Sequence, residues 1–277
     1  MDATNGTTDQ TFEAFARHDF YRAVNEHLVD RTLQIRERVE EPVRRALDLA
    51  CGTGAVTQLL ADRVRQLREP VEIIGVDPST AALEKARKLV GSAAAFVVGT
   101  AQAFSDIVTG VDIILFCNAI HLLPQKEPVV AEAHRALNPG GVLGFNTSFY
   151  DGCYAPGTER FYKLWMLRSL QMLKRETGLR PDRNRVEAMN WLTPEDYRVM
   201  LERNGFQIEE MKTEVANMTC ESWQDISQYS EFANGALPGI PVDVATPILK
   251  RSVAEAFDEL QIETLPRNWL QVVARAV

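Results

Sequence analysis

The sequence has few of the residues that build metal centres or disulfide frameworks. Its 277 residues include four cysteines and four histidines. The cysteines are far apart, with no C-x-x-C pair and no spacing typical of metal ligands. The sequence therefore predicts no metal site, and it predicts reduced, buried thiols, which are typical of a cytoplasmic protein. The four positions are Cys51, Cys117, Cys153 and Cys220.

Long hydrophobic runs are also missing from the sequence. Residues 1–10 are polar and contain no apolar stretch of the kind found in signal peptides. The most apolar segment, 111–123, is interrupted by Asp112, Asn118 and His121. Because a membrane-spanning helix needs about 20 consecutive apolar residues, no membrane span is predicted.

An excess of positive charge is the third feature that the sequence lacks. Its 30 basic and 38 acidic residues give a formal net charge of −8. Proteins that bind nucleic acid need basic residues to neutralise phosphates, so nucleic acid is not an expected partner. The length and the 45% hydrophobic content suit one enlarged domain, or one domain with a lid. No feature of the sequence indicates an oligomeric state.

What the sequence does contain is a regular alternation of strands and helices. Between residues 45 and 149, apolar runs typical of buried strands alternate with amphipathic segments of helical length. Such alternation predicts right-handed βαβ units, and hence a parallel sheet covered by helices on both faces. The predicted strands span 45–50, 71–77, 94–98, 111–117 and 141–149; the predicted helices span 54–68, 79–90, 101–107 and 126–137; and 138–141 is predicted to be a turn.

The alternation ends outside this core. Residues 11–40 and 158–176 are predicted to be helical. Thr193 followed by Pro194 predicts the start of another helix, and the Asn204-Gly205 pair predicts its end. The predicted organisation is an N-terminal helical cap at 1–44, a core at 45–149, a helical lid at 150–192, and a C-terminal part of the core at 193–277, in which 206–215 and 268–274 are strands and about 219–263 is a second helical insertion.

The most informative motif spans Leu47 to Thr57. An apolar strand that carries Asp48 leads into a Gly52-x-Gly54 turn, and a helix follows. Glycines let the backbone approach a ligand closely, and the helix N-terminus favours a negatively charged group. The next strand ends at Asp77, 25 residues beyond Gly52, the spacing expected of a carboxylate that binds ribose hydroxyls. The motif therefore predicts a site for a nucleoside-like ligand.

Two details distinguish this motif from a dinucleotide-binding turn. A dinucleotide fingerprint has a third glycine for close helix packing, and Thr57 stands at that place. Asp48 would repel a pyrophosphate, whereas it suits a ligand with ammonium and sulfonium charges. A purely structural turn without a ligand is the other interpretation.

These segments resemble the cofactor half of the class I S-adenosylmethionine (SAM)-dependent methyltransferases. The resemblance implies an α/β fold with a Rossmann-like, seven-stranded, mostly parallel sheet, helices on both faces and helical lid insertions, and it implies SAM as the cofactor. Thr100 stands where the family often has an acid beside the adenine, so Ala101 and Gln102 are expected to substitute for it. The residues implied in cofactor binding are Tyr21, Asp48, Ala50, Gly52, Gly54, Asp77, Pro78, Thr100, Ala101, Gln102, Asn118 and Ala119.

The resemblance also implies transfer of a methyl group to a small, fairly apolar metabolite, with a role in secondary metabolism by analogy. SAM supplies the activated methyl group, so the protein chiefly aligns the reactants and excludes water. His121 follows the fourth predicted strand and is the candidate general base. Packing against the cofactor is the alternative role of His121, and plain packing is the alternative for Tyr21.

The predicted lid is rich in aromatic and basic side chains. Its aromatic residues either line a substrate pocket or form a satellite core, and its arginines either meet an anionic group or lie in solvent. The aromatic set is Phe149, Tyr150, Tyr154, Phe161, Trp165 and Trp191, and the basic set is Arg160, Arg168, Arg175, Arg180, Arg183 and Arg185.

Three other functions fit the same fold. An NAD(P)-dependent oxidoreductase is disfavoured by Thr57 and by the lack of a Tyr-x-x-x-Lys pair. A protein that uses SAM without methyl transfer would have the same motifs. A regulator that retained the cofactor fold is the third, and the intact motifs count against it.

Overall fold

The computed structural model describes residues 9–67, 69–182 and 190–277. Two of the predicted lid arginines, Arg183 and Arg185, lie outside the described residues, as does the start of the predicted N-terminal cap.

Seven strands form one sheet in the order β3-β2-β1-β4-β5-β7-β6. The strands β1 to β5 pair in parallel, whereas β7 runs antiparallel to both of its neighbours. This sheet confirms the predicted fold class. The strand bounds are β1 Arg45–Leu49, β2 Glu72–Asp77, β3 Ala95–Val98, β4 Val111–Cys117, β5 Leu137–Thr147, β6 Phe206–Thr219 and β7 Thr264–Ala276.

Ten α-helices surround the sheet within the described part of the chain. Three of them connect the parallel strands, as the alternating pattern predicts. Helix α7 leads into β6, and the others form the N-terminal segment and the two insertions. Their bounds are α1 Asp9–Ala16, α2 Asp19–Arg36, α3 Ala55–Val64, α4 Thr80–Val90, α5 Glu127–Ala136, α6 Glu159–Thr177, α7 Pro194–Arg203, α8 Cys220–Ile226, α9 Ser230–Ala236 and α10 Val242–Leu260.

The central strand β4 is buried along its whole length because both sheet faces are covered. Ile114 and Phe116 pack into the core beneath α5 and α7. Ile113 and Leu115 point to the other face, into the core beneath α2, α3 and α4. Strand order reverses between β1 and β4, and ligands of open α/β sheets bind at the carboxyl ends of strands at such a point.

The insertions form a separate aromatic core together with α1 and the first half of α2. Trp165 on α6 donates its indole N–H to the carbonyl oxygen of Leu249 on α10 at 3.1 Å. Phe257 packs edge-on against Phe161 at 5.1 Å between ring centroids. Among the described helices, none is both long enough and apolar enough to cross a membrane.

Helix α7 begins and ends where the sequence predicts. The hydroxyl of Thr193 accepts a hydrogen bond from the amide of Asp196 at 3.0 Å, and the Asp196 carboxylate accepts one from the Thr193 amide at 2.9 Å. This reciprocal pair satisfies two N–H groups that a helix start leaves without partners. Gly205 then adopts a φ of +83°, the left-handed conformation in which glycine ends helices without strain.

Three sequence predictions about local structure are wrong. The helix predicted at 101–107 is a single 3₁₀ turn at Phe104–Asp106, which is enough to bury Phe104 completely. The helix predicted at 11–40 breaks after Ala16 because His18 is extended, and its second half ends at Arg36. The predicted turn at 138–141 lies inside β5, where the pairing with β4 shifts register.

A buried ion pair fixes α2 to the sheet. The guanidinium of Arg36 lies 3.4 Å from the carboxylate of Asp112 on β4, and both side chains are buried. Asp112 also accepts hydrogen bonds from the amides of Arg44 and Arg45 and from the side chain of Asn138. Burial raises the pKa of Asp112, but these donors and Arg36 outweigh it, so the pKa lies below its usual value.

Asp112→Asn should destabilise the protein because it leaves Arg36 buried without a charge partner. Breaking a buried pair costs about 3 kcal/mol in free energy of unfolding, measured by urea denaturation. Because the folded-state pKa of Asp112 is lowered, its stabilisation is present at neutral pH and is lost as the pH falls through that pKa. Glu202→Gln, at an exposed ion pair with Arg198, is the control and should change stability little. Equal effects of the two substitutions would contradict the prediction.

Candidate active site

The turn after β1 forms the floor of a crevice at the carboxyl ends of the central strands. Ala50, Gly52 and Gly54 all have positive φ angles. A Cβ added to Gly52 would meet no atom within 4 Å, so this position borders open space. A Cβ at Gly54 would lie 3.0 Å from the Cβ of Ala86. The first glycine therefore leaves room for a ligand, and the second permits close packing of α4.

Asp77 ends β2 and is tied to this turn. One of its carboxylate oxygens accepts a hydrogen bond from the amide of Gly52 at 2.9 Å, and the other accepts one from the amide of Ser79 at 2.9 Å. Each carboxylate oxygen can accept more than one hydrogen bond. The fixed carboxylate therefore fits a ribose that donates from two hydroxyls, and Pro78 lies exposed beside it.

Asp48 is buried beneath the same turn. Its carboxylate accepts a hydrogen bond from the Thr57 hydroxyl at 2.6 Å. This contact explains why threonine stands at the third glycine position of the dinucleotide pattern. Burial, opposed by the Thr57 hydrogen bond and reinforced by the Asp77 charge, raises the pKa of Asp48 to about 7. A nearby positive charge would favour its ionised form.

The loop after β3 borders the crevice. The amide of Gly99 donates to the carbonyl oxygen of Asp77 at 3.1 Å, which places the loop beside the end of β2. Thr100 and Gln102 are exposed, and Ala101 packs partly against the core. The three residues predicted near the adenine thus lie on the same edge of the sheet as Asp77.

Asn118 follows β4 and connects four parts of the chain. It has a φ of +52°, and its amide donates to the Asn146 side chain at 3.0 Å. The Trp269 indole donates to the Asn118 side-chain oxygen at 2.7 Å, and Asn25 on α2 lies beside both asparagines. Tyr21 is buried among these amides, and burial raises the pKa of its hydroxyl. The structure thus brings Tyr21 and Asn118 together, and Ala119 follows directly.

His121 lies in a 3₁₀ turn just beyond Asn118 and is buried. Its Nδ1 is 3.1 Å from the Thr147 hydroxyl, and its ring centroid is 4.4 Å from that of Phe149. Burial, followed by the charges of Lys126 and Arg267, lowers the pKa of His121 to about 3. The imidazole is therefore neutral at physiological pH.

A cavity of about 300 Å³, here called the aromatic cavity, opens beside Asn118 and His121. Four of the six lid aromatics line it, whereas Tyr150 and Phe161 belong to the packed cores. The structure thus divides the lid aromatics between a cavity and the packed cores. Its aromatic walls are Phe12, Phe15, Phe149, Tyr154, Tyr162, Trp165, Trp191, Trp223, Tyr229, Phe232 and Trp269.

Several residues at this site had no signal in the sequence. Arg267 and Trp269 enter the cavity from β7, and Asn25 reaches Asn118 from α2. None of them belongs to a local motif, because each meets the site only through tertiary packing. Across the described ranges, no group of three or more His, Cys, Asp or Glu side chains could hold a metal ion.

Comparisons with known proteins show which proteins the chain resembles. A family model described as a methyltransferase domain matches residues 46–141. The chain is 31% identical over 141 residues to a malonyl-[acyl-carrier protein] O-methyltransferase of Legionella pneumophila, covering 49% of this chain and 48% of that protein. It is 30% identical over 124 residues to a trans-aconitate 2-methyltransferase of Variovorax paradoxus, covering 44% and 46%. The chain thus spans about half the length of the curated relatives it matches.

One solved structure matches the fold of this chain over almost its whole length. A protein of Galdieria sulphuraria, described as a candidate sarcosine dimethylglycine methyltransferase, has a TM-score of 0.58 and 14% identity, with 98% of each chain covered. At this identity the likeness concerns the fold. Family and fold together support SAM as the cofactor. Residues 46–141 are therefore a methyltransferase domain, and the chain has the fold of a class I SAM-dependent methyltransferase.

Proposed function

We propose that the protein transfers the methyl group of SAM to a small, largely apolar molecule. The observation that carries this proposal is the position of Asn118. It follows the last residue of β4 at the cofactor crevice, and it also lines the aromatic cavity. A donor in the crevice and an acceptor in the cavity would therefore meet at one point, enclosed by α1, α6, α8 and α9.

In this proposal each strand end binds a different part of the cofactor. Asp77 accepts the ribose hydroxyls, and the loop of Thr100, Ala101 and Gln102 borders the adenine. The turn at Gly52 and the start of α3 border the methionyl end, with Asp48 beneath them. SAM supplies the activated methyl group, and the chain holds, orients and shields the reactants.

Because His121 is neutral, one of its ring nitrogens can accept a hydrogen bond from the substrate that receives the methyl group. In the tautomer that leaves Nε2 unprotonated, Nδ1–H donates to the Thr147 hydroxyl, and that hydroxyl donates to the Phe149 carbonyl oxygen at 3.4 Å. A ring whose pKa is about 3 is a weak base. We propose that His121 accepts a hydrogen bond from the methyl acceptor and orients it.

One observation counts against the dinucleotide alternative. A dinucleotide would bring its pyrophosphate toward the negative charge of the buried Asp48. Asp48 also accepts a hydrogen bond from Thr57, which stands where a dinucleotide site has its third glycine. A protein that uses SAM without methyl transfer shares the whole crevice, and only detection of a methylated product separates it from a methyltransferase.

We also propose a reducing, cytoplasmic location and a role in secondary metabolism. Four unpaired cysteines, three of them buried, support the reducing environment. The enclosed aromatic cavity supports a specialised small-molecule substrate, and a screen of methyl acceptors with labelled SAM would identify it.

Stabilisation by ligands tests the cofactor site. SAM and its demethylated product S-adenosylhomocysteine (SAH) should raise the melting temperature, because a ligand that binds only the folded state stabilises it. NAD(P)H should not. Asp77→Ala should remove the response to SAH by removing the ribose contacts, whereas Glu84→Ala, an exposed carboxylate on α4, should preserve it. Stabilisation by NAD(P)H alone would reverse the proposal.

Asp48 should make SAM affinity depend on pH. With a pKa of about 7, Asp48 is protonated in most molecules at about pH 5.5. The positively charged ligand favours binding to the ionised form of Asp48 over the protonated form. We expect affinity to rise about tenfold between about pH 5.5 and about pH 7, where the ligand's amino group stays charged. Isothermal titration calorimetry measures this change. In Asp48→Asn, which cannot ionise, the pH dependence should largely disappear; a flat wild-type profile would refute the prediction.

His121→Ala should lower the turnover number more than it weakens SAM binding, because His121 lies in the cavity and not in the crevice. Loss of one positioning hydrogen bond predicts a decrease of roughly tenfold or more in kcat. The measurements are steady-state kinetics with an acceptor found by the screen and a Kd for SAM. His121→Gln, which retains an acceptor atom, should recover part of the loss. Full turnover in His121→Ala would remove His121 from the mechanism.

A further inference from the structure

Arg267 enters the aromatic cavity from the start of β7 and is almost completely buried, with 3% of its surface exposed. Its Nε and Nη2 donate to the carbonyl oxygen of Ser148 at 3.1 and 2.6 Å. Its Nη1 donates to the Tyr162 hydroxyl at 3.2 Å. A guanidinium has five N–H donors, so these contacts leave two of them for a further acceptor.

The surroundings of Arg267 are aromatic. Its guanidinium carbon lies 5.1 to 5.8 Å from the ring centroids of Phe149, Tyr154, Tyr162 and Trp223. No ion pair joins it to an acidic side chain anywhere in the described ranges. Glu231 also borders the cavity, but it is exposed. A buried arginine is normally paired, because an isolated charge in an apolar site is costly.

We propose that the substrate carries a carboxylate that pairs with Arg267 and an apolar body that lies among the aromatic walls. The inference rests on the proposed methyl transfer and names the substrate class of the same site. One guanidinium with two remaining donors matches a monoanion with two oxygens, whereas a phosphate dianion would need more donors. The cavity of about 300 Å³ is at the lower limit of small-molecule pockets, which suits an acid with one or two rings.

The position of Phe149 connects the two ends of such a substrate. Its ring centroid lies 4.4 Å from that of His121 and 5.1 Å from the Arg267 guanidinium carbon. An acid held by Arg267 therefore directs its body toward His121 and Asn118, where the methyl group would arrive. A bound carboxylate also offsets the Arg267 charge, which is one of the causes that lower the pKa of His121.

The test compares acids with their neutral amides on the wild-type protein saturated with SAH. The probes are phenylacetate, cinnamate and indole-3-acetate, each paired with its primary amide, and the readouts are the melting temperature and the Kd from calorimetry. We expect at least one acid to raise the melting temperature and to bind about tenfold or more tightly than its amide, the usual effect of a charge-assisted hydrogen bond.

Variants assign this preference to Arg267. Arg267→Gln should bind acid and amide equally, Arg267→Lys should retain part of the preference, and Arg160→Gln, at an exposed arginine of α6, should behave as wild type. If the Arg267 variants fail to fold, the comparison of acids with amides on the wild-type protein still tests whether the site prefers a carboxylate. Absence of stabilisation by SAH would refute the proposed function. Stabilisation by SAH with equal binding of acids and amides, or with binding of neither, would refute the inference alone.

Discussion

The hydrogen bond from the Gly52 amide to the Asp77 carboxylate joins the two strand ends on which the candidate site is built. It fixes the turn after β1 relative to the end of β2, and the Gly99 amide extends the connection to the loop after β3. Two backbone amides, those of Gly52 and Ser79, hold this carboxylate in place. A ligand that meets such an arrangement pays little for ordering the protein.

A second set of contacts joins this crevice to the parts of the chain that cover it. Asn118 is bonded to Asn146 on β5 and to Trp269 on β7, and Asn25 on α2 contacts both asparagines. The side chains of Asn25 and Asn146 are completely buried, so the hydrogen bond between them specifies how α2 lies against the sheet. The cofactor crevice and the aromatic cavity thus share a polar wall between otherwise apolar cores.

The sequence was sufficient to predict the parts of the site that are local. Gly52, Gly54 and Asp77 lie at the ends of adjacent parallel strands, and the geometry of a βαβ unit brings them together without reference to the rest of the chain. The capping residues of α7 are local in the same sense. The fold class followed from the alternation of strands and helices for the same reason.

The parts that were missed or wrong depend on tertiary structure. Arg267 and Trp269 reach the site because β7 inserts antiparallel between β5 and β6, an arrangement that no short motif encodes. The helix predicted at 101–107 failed because one buried side chain, Phe104, was enough to attach a loop to the core. The division of the lid aromatics between cavity and core depended on α10 and α8, which lie far away in the sequence.

The spacing of Arg267 and Trp269 along β7 has a consequence for selectivity. Residues two apart in a strand point to the same face and lie about 7 Å from each other. One of them borders the proposed acid-binding end of the cavity, and the other bonds to Asn118 beside the crevice. Strand β7 would therefore set a fixed distance between the carboxylate of the substrate and the methyl group of SAM. An acid one carbon longer or shorter would place a different atom next to that methyl group.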